Sequence, residues 1–345
     1  MTHAFLNEIL ENAHVVSLPM RVRFRGVEQR EAVIFRGPCG WGEFSPFVEY
    51  EAPEAAAWLA SGIEMAYQDL PRFHRTKVAV NATIPAVPAD HVAEILAQFP
   101  GCTVVKVKVA EAGQTLADDV ARVEAVREQL PHARIRVDAN RGWGVEQALE
   151  AAAALGPLDY MEQPCATVAE LAQLRTQLVR RGHFVRVAAD ESIRRAADPY
   201  EVARVGAADI AVVKVAPLGG VRAVLELAQY MHARGMDLTV ASALDTGVGM
   251  NAGLAAVAAL PRHFDDEEFV VEPAAAGLAT QRLFAADIVR PRELVDGCLA
   301  VEMLEPDMDA VSDLAASPHR KDWWLQHLAD SFAHIPTGRV AAWQS

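Results

Sequence analysis

The chain has 345 residues, 52% hydrophobic and 23% charged, an ordinary globular balance with length enough for one large domain and a smaller companion. Lys and Arg number 32 against 46 Asp and Glu, a net charge of -14. That excludes a nucleic-acid partner, which needs a basic patch to displace counterions, and leaves a small anionic substrate to be captured by a local cation cluster or a metal.

In chain order, residues 1–19 carry Glu8 and Glu11 and lack an apolar core flanked by basic residues, so no signal peptide is expected. Residues 15–24, 30–35 and 40–44 read as a small antiparallel sheet with Gly and Pro at its turns, and residues 54–70 as an Ala-rich helix. Together they form an expected α+β unit over residues 1–77. From residue 78 a different rhythm begins. Short β-branched runs at 78–85, 103–109, 134–140, 159–163, 185–191, 209–215, 237–243 and 268–272 alternate with stretches of helical period. Eight βα units predict a closed parallel barrel over residues 78–298, an α/β fold of the TIM type, and no GxGxxG follows the first strand to favour an open sheet. Residues 299–345 break the rhythm and are expected to return to the first unit. No apolar run reaches the length of a membrane span. Cys39, Cys102, Cys165 and Cys298 show no CxxC spacing, which argues against a zinc site or a disulfide framework. The expectation is a cytoplasmic protein with no membrane partner, a monomer or at most a weak homo-oligomer.

Parallel barrel strands are covered on both faces and should be almost wholly apolar. Here five consecutive strands break that rule at their C-terminal ends, where barrel active sites lie. The second strand carries Lys106 and Lys108 on one face, the third ends in Asp138, the fourth in Glu162, the fifth in Asp190, and the sixth in Lys214. Buried charges of this kind must be paired with each other or with a metal. Three acids on neighbouring strands repel unless a cation lies between them, and an all-oxygen set suits Mg²⁺, with Mn²⁺ as a substitute. Strands two and six are diametrically opposed in an eight-membered ring. A metal-bound substrate carboxylate would therefore have a lysine on each side of its α-carbon. Removing an α-proton needs Lewis-acid stabilisation of the enediolate and a neutral base. Lys106 and the metal would lower the pKa of Lys108 from about 10.4 toward the ~7–8 useful for catalysis.

With these residues in view the sequence resembles the enolase superfamily, known for a Lys or His base working with Mg²⁺, in its muconate-lactonizing-enzyme-like subgroup with a lysine on the second and sixth barrel strands. The match runs through Gly40-Trp41-Gly42-Glu43, Lys106/Lys108, Asp138-Ala139-Asn140, Glu162-Gln163-Pro164, Asp190-Glu191-Ser192 and Lys214. The resemblance implies a modified (β/α)7β barrel with an N-terminal capping domain whose loops close the site, and Asp138, Glu162 and Asp190 as metal ligands. Residues 19–26, 40–47 and 242–249 are similar to the branch that dehydrates a succinylated hydroxycyclohexadiene carboxylate in menaquinone biosynthesis. By that resemblance the chain is a carbon–oxygen lyase in which Lys108 takes the α-proton and Lys214 stays cationic over the ring. Lys106, Asn140 and Glu191 would support them, and Trp41 is as fit for core as for site.

Substrate contacts are expected from two places. Arg21, Arg23 and Arg25 give one face of a cap strand a basic character suited to a carboxylate, against the alternative of a solvated edge. Ser242 and Gly247 sit in a loop of small residues that lets backbone approach a ligand. No histidine stands at 239–242 and Glu272-Pro273-Ala274-Ala275-Ala276 offers no Asp-x-Asp after the eighth strand, which disfavours a histidine-base racemase and a dipeptide epimerase. N-succinylamino acid racemases share the two-lysine machinery, and the catalytic motifs do not separate them. A non-catalytic barrel scaffold predicts erosion of a lysine or acid, and all are present.

Overall fold

The computed structural model describes residues 2–24, 26–196, 198–264 and 270–343, with side chains left out at 2, 22–24, 263 and 264. Strands β1 (Ala13–Phe24), β2 (Val27–Arg36) and β3 (Trp41–Phe44) form an antiparallel sheet in the order β1-β2-β3. The helix Ala52–Tyr67 covers it, starting with a Pro in its first turn, where the missing N–H costs nothing. Two glycines let helix and sheet touch. A Cβ on Gly42 would lie 2.1 Å from the Gly62 carbonyl oxygen, and one on Gly62 would lie 2.4 Å from that of Glu43. The Gly-Trp-Gly-Glu run is thus a close-packing device that fixes where Glu43 sits.

The larger unit is a curled parallel sheet. Strands β4 (Lys77–Ala79) and β5 (Ala82–Ile84) divide the first expected strand, and only β5 joins the barrel. It is followed by β6 (Val104–Lys108), β7 (Arg134–Asp138), β8 (Tyr160–Glu162), β9 (Arg186–Ala189), β10 (Ile210–Val213) and β11 (Asp237–Val240), hydrogen-bonded in sequence order. Connecting helices start on defined caps. Thr115 caps Leu116–Gln129 with Asp118 reaching back, and Thr167 caps Val168–Arg180 with Glu170 doing the same, which satisfies N–H groups the helix cannot pair internally.

The eighth strand differs from the expectation of residues 268–272. Residues 265–269 lie outside the described residues. Val270–Val271 (β13) pairs antiparallel with His263–Phe264 (β12) on the exposed side. The ring is closed instead by Ala276 and Gly277. The Asn81 N–H donates to the Ala276 carbonyl at 3.0 Å, and the Gly277 N–H donates to Val240 O at 2.9 Å. Small residues suit that seam, since a Cβ on Gly277 would already sit 3.1 Å from the Ala241 Cβ.

Among the described residues, apolar side chains gather in two large clusters and one small one. One large cluster fills the space between barrel and helices. The other joins Phe5, Trp58 and Leu59 of the cap to Trp324, Leu328 and Phe332 of the helix Pro318–Phe332 and to Leu244 and Val248 of a barrel loop. Inside the ring, Tyr160, Ala188, Ile210, Val212 and Ala241 make a small apolar layer. Below it the buried Arg136 lies 4.7 Å over the Tyr160 ring and bonds Asp159 Oδ2 at 2.9 Å and the Ala275 carbonyl at 2.6 Å. Among the described residues, no helix is long and apolar enough to cross a membrane.

Candidate active site

Alternation along a strand puts residues two apart on one face, so the inward row that begins with Arg136 and Tyr160 ends with Asp138 and Glu162. Register brings these ends level, with Lys108 opposite Asp138 and Asp138 opposite Glu162. Asp138, Glu162 and Asp190 are fully buried, and Lys106, Lys108 and Lys214 nearly so. Lys106 Nζ donates to Glu162 Oε1 at 2.9 Å and to Asp138 Oδ2 at 3.2 Å. Lys108 Nζ donates to Asp138 Oδ2 at 2.5 Å and to Asn140 Oδ1 at 2.6 Å. Across the ring Lys214 Nζ donates to Asp190 Oδ2, whose other oxygen accepts from Arg194 at 2.9 Å. Asn140 Nδ2 and Arg194 both donate to Glu191 Oε1, at 3.1 and 2.8 Å.

The charges shape one another. Burial works against the Lys106 ammonium, but Glu162 and Asp138 outweigh it and hold the amine above its ordinary pKa. Glu162 is pushed up to about 7 by burial, with Asp138 and Asp190 adding repulsion. Among the described residues no three His, Cys, Asp or Glu side chains converge as a preformed metal cage, and the lysines take up carboxylate oxygens instead. The donor chemistry still fits a hard divalent cation: three buried carboxylates on adjacent strands whose mutual repulsion raises Glu162.

Backbone strain concentrates here. Of six non-glycine residues with positive φ among the described residues, Ala110, Asn140, Arg141, Gln163 and Leu244 all stand where the chain leaves a barrel strand, the pattern of a site over-determined by its surroundings. Gln163 repays its strain by accepting from the Asp190 and Ser192 N–H groups at 2.9 and 3.1 Å, which ties the fourth strand end to the fifth.

The cap closes the mouth at two points that sequence reasoning missed. The Tyr50 hydroxyl accepts from Arg194. Glu43 is buried and accepts from Ser45 Oγ at 2.6 Å, Thr246 Oγ1 at 2.5 Å and the Gly249 N–H at 2.9 Å, so the cap holds the loop after β11. Burial and the nearby Asp245 push its carboxyl up to about 7. Arg30, also buried, donates to Leu244 O at 3.0 Å from the same side. The only sequence signal for these contacts was the spacing of Gly42 and Glu43.

The expected substrate contacts separate. Ser242 lines the cavity between the lysines, together with Phe47, Thr83, Ala243, Leu244 and Thr280. Gly247 does not. Its N–H donates to Asp287, and a Cβ would meet Val289 Cγ2 at 2.0 Å, so its smallness serves packing. Arg21 is exposed on β1 and is not among the lining residues. The side chain of Arg23, and Arg25 altogether, lie outside the described residues. Trp41 faces a second small cavity with Glu43 and Ser61.

Comparison with known proteins shows the family. The chain matches the family described as enolase C-terminal domain-like over residues 89–306 and that described as enolase N-terminal domain-like over residues 15–66. It is 54% identical over 335 residues to the o-succinylbenzoate synthase of Mycolicibacterium smegmatis, covering 96% of this chain and 98% of that protein. It is 52% identical over 326 residues to that of Mycobacterium tuberculosis, covering 94% of each. The muconate lactonizing enzyme of Pseudomonas putida shares the fold, with a TM-score of 0.71 at 23% identity over 88% of this chain and 98% of that one. The chain belongs to the enolase superfamily and, within it, to the family of the o-succinylbenzoate synthases.

Proposed function

We propose that the chain is a hydro-lyase that dehydrates a succinylated hydroxycyclohexadiene carboxylate to o-succinylbenzoate, in the cytoplasmic route to menaquinone, with Mg²⁺ as its working ion and Mn²⁺ able to replace it. The observation that carries this is a pair of buried lysines on opposite sides of one ring, Lys108 on Asp138 and Lys214 on Asp190, with Glu162 between. Superfamily members generally depend on a divalent metal. Bound by Asp138, Glu162 and Asp190, the ion supplies Lewis-acid stabilisation for charge that builds on the substrate carboxylate.

The chain's own residues do the rest. Asn140 and Asp138 fix the Lys108 amine at the ring edge, from which it takes the α-proton. The ring C–O bond then breaks, and the same amine returns the proton to the departing hydroxide on the same face. Water leaves and the ring becomes aromatic, so the atoms balance with no further reactant. Lys214 stays an ammonium on the opposite face, where its charge attracts the developing π system. The cavity holds only about 30 Å³ of free space, so substrate entry must part the lysine–carboxylate contacts and displace the Phe47 side of the cap.

Opposed lysines also suit racemisation of N-succinylamino acids, and the test is a direct comparison. Purified protein is assayed with the cyclohexadiene substrate and, in parallel, with succinylated amino acids. The expected result is dehydration with the higher kcat/KM; racemisation alone would overturn the assignment.

A further inference from the structure

The barrel mouth has two unlike halves. Strands two to six carry the lysines and acids of the ring, from Lys106 and Lys108 through the three acids to Lys214. The remaining arc, from the loop after β11 through the closing segment to β5, lines the same cavity with Ser242, Ala243, Leu244, Gly277, Thr280 and Thr83. Its side chains that line this cavity include hydroxyls and no charge, and Asp245 of the same loop lines the other cavity with Glu43. Thr280 is 7% exposed, and its Oγ1 meets no hydrogen-bond partner among the described residues. A buried hydroxyl in that state costs free energy unless something arrives to pair with it. Its neighbour Thr83 accepts from Asn81 Nδ2 at 3.3 Å, and Ser242 Oγ accepts from the Asp245 N–H at 3.2 Å. Each of those two hydroxyls therefore keeps its proton to give.

We propose that Thr280 is a specificity-determining residue, whose hydroxyl, with Thr83 beside it, binds an oxygen of the substrate's succinyl arm. This rests on the dehydratase reading above. With the ring carboxylate held on the acidic side and a lysine on each ring face, the substituent furthest from the acids falls on the uncharged arc. Its carbonyl or carboxylate oxygen is the acceptor that Thr280 lacks. Hydroxyls in place of an arginine make this recognition neutral, so binding of the arm depends little on ionic strength.

The test compares wild type with Thr280→Val, which keeps the shape and removes the hydroxyl, and with Thr280→Ser, which restores it. Thr280→Val is expected to raise KM about tenfold, the scale of one hydrogen bond, with kcat within about twofold. Thr280→Ser should recover most of the loss. Affinity for o-succinylbenzoate should fall in parallel while affinity for benzoate, which lacks the arm, stays unchanged. Thermal stability of the ligand-free Thr280→Val protein should be equal or higher, since an unpaired polar group is gone, and a merely structural hydroxyl would give the reverse. Unchanged KM and o-succinylbenzoate affinity, or an equal weakening toward benzoate, would overturn the proposal. If wild type fails to turn over the cyclohexadiene substrate, the dehydratase reading fails, and the two binding measurements still decide the role of Thr280.

Discussion

Lys108→Ala is expected to lower kcat by about 10²–10⁴-fold, the range that a positioned proton-transfer group contributes, and to leave the divalent ion bound. The structure gives the reason for both halves. Lys108 Nζ is held between Asp138 Oδ2 and Asn140 Oδ1, and it is the amine of its strand that sits level with Asp138. Removing it does not orphan Asp138, because Lys106 still donates to the same oxygen. The fold should therefore survive, and near-native thermal stability with collapsed turnover is the signature to look for. Lys108→Arg should not rescue, since a guanidinium keeps its proton at neutral pH and cannot serve as a base. Turnover near wild type in either variant would remove Lys108 from the chemistry.

Asp190→Ala is expected to weaken Mg²⁺ binding by more than the 10–100-fold typical of losing a supporting contact, read by calorimetry on the chelator-stripped protein. Asp190 faces Lys214 and Arg194 at once. Without it those two cations lose the carboxylate they share, and their repulsion of an incoming ion is added to the loss of a ligand oxygen. Turnover should fall with the affinity and return only in part at high Mg²⁺. Unchanged affinity would mean that Asp190 serves the lysine–arginine network alone and that the ion is held elsewhere.

Much of the barrel and its charged strand ends is legible in the sequence, for a physical reason. Buried parallel strands tolerate few charges, so Lys108, Asp138, Glu162, Asp190 and Lys214 stood out against valine and alanine, and strand order set their places around the ring. The closing segment was not legible. Ala276 and Gly277 contribute a short backbone bridge with no β-branched signal, whereas the nearby Val270 and Val271 look like a strand and are spent on an exposed hairpin. Local pattern also carries no information on contacts between distant parts of the chain, such as Glu43 with Thr246 or Arg136 with Ala275. The alternating arginines around residue 22 show the limit most clearly. A period of two says that Arg21 and Arg23 share a face but not what that face looks at, and Arg21 looks at solvent. The proposed role of Thr280 rests on a hydroxyl that no sequence pattern marks.

The proposed function turns on one divalent ion that Asp138, Glu162 and Asp190 would hold between two amines. The most direct measurement is calorimetric titration of chelator-stripped protein with Mg²⁺, with dehydration followed on the same samples. The expected result is no turnover in the stripped protein, one ion bound per chain, and activity that rises in step with that binding. Full turnover in the presence of chelator, with no heat of binding, would contradict it.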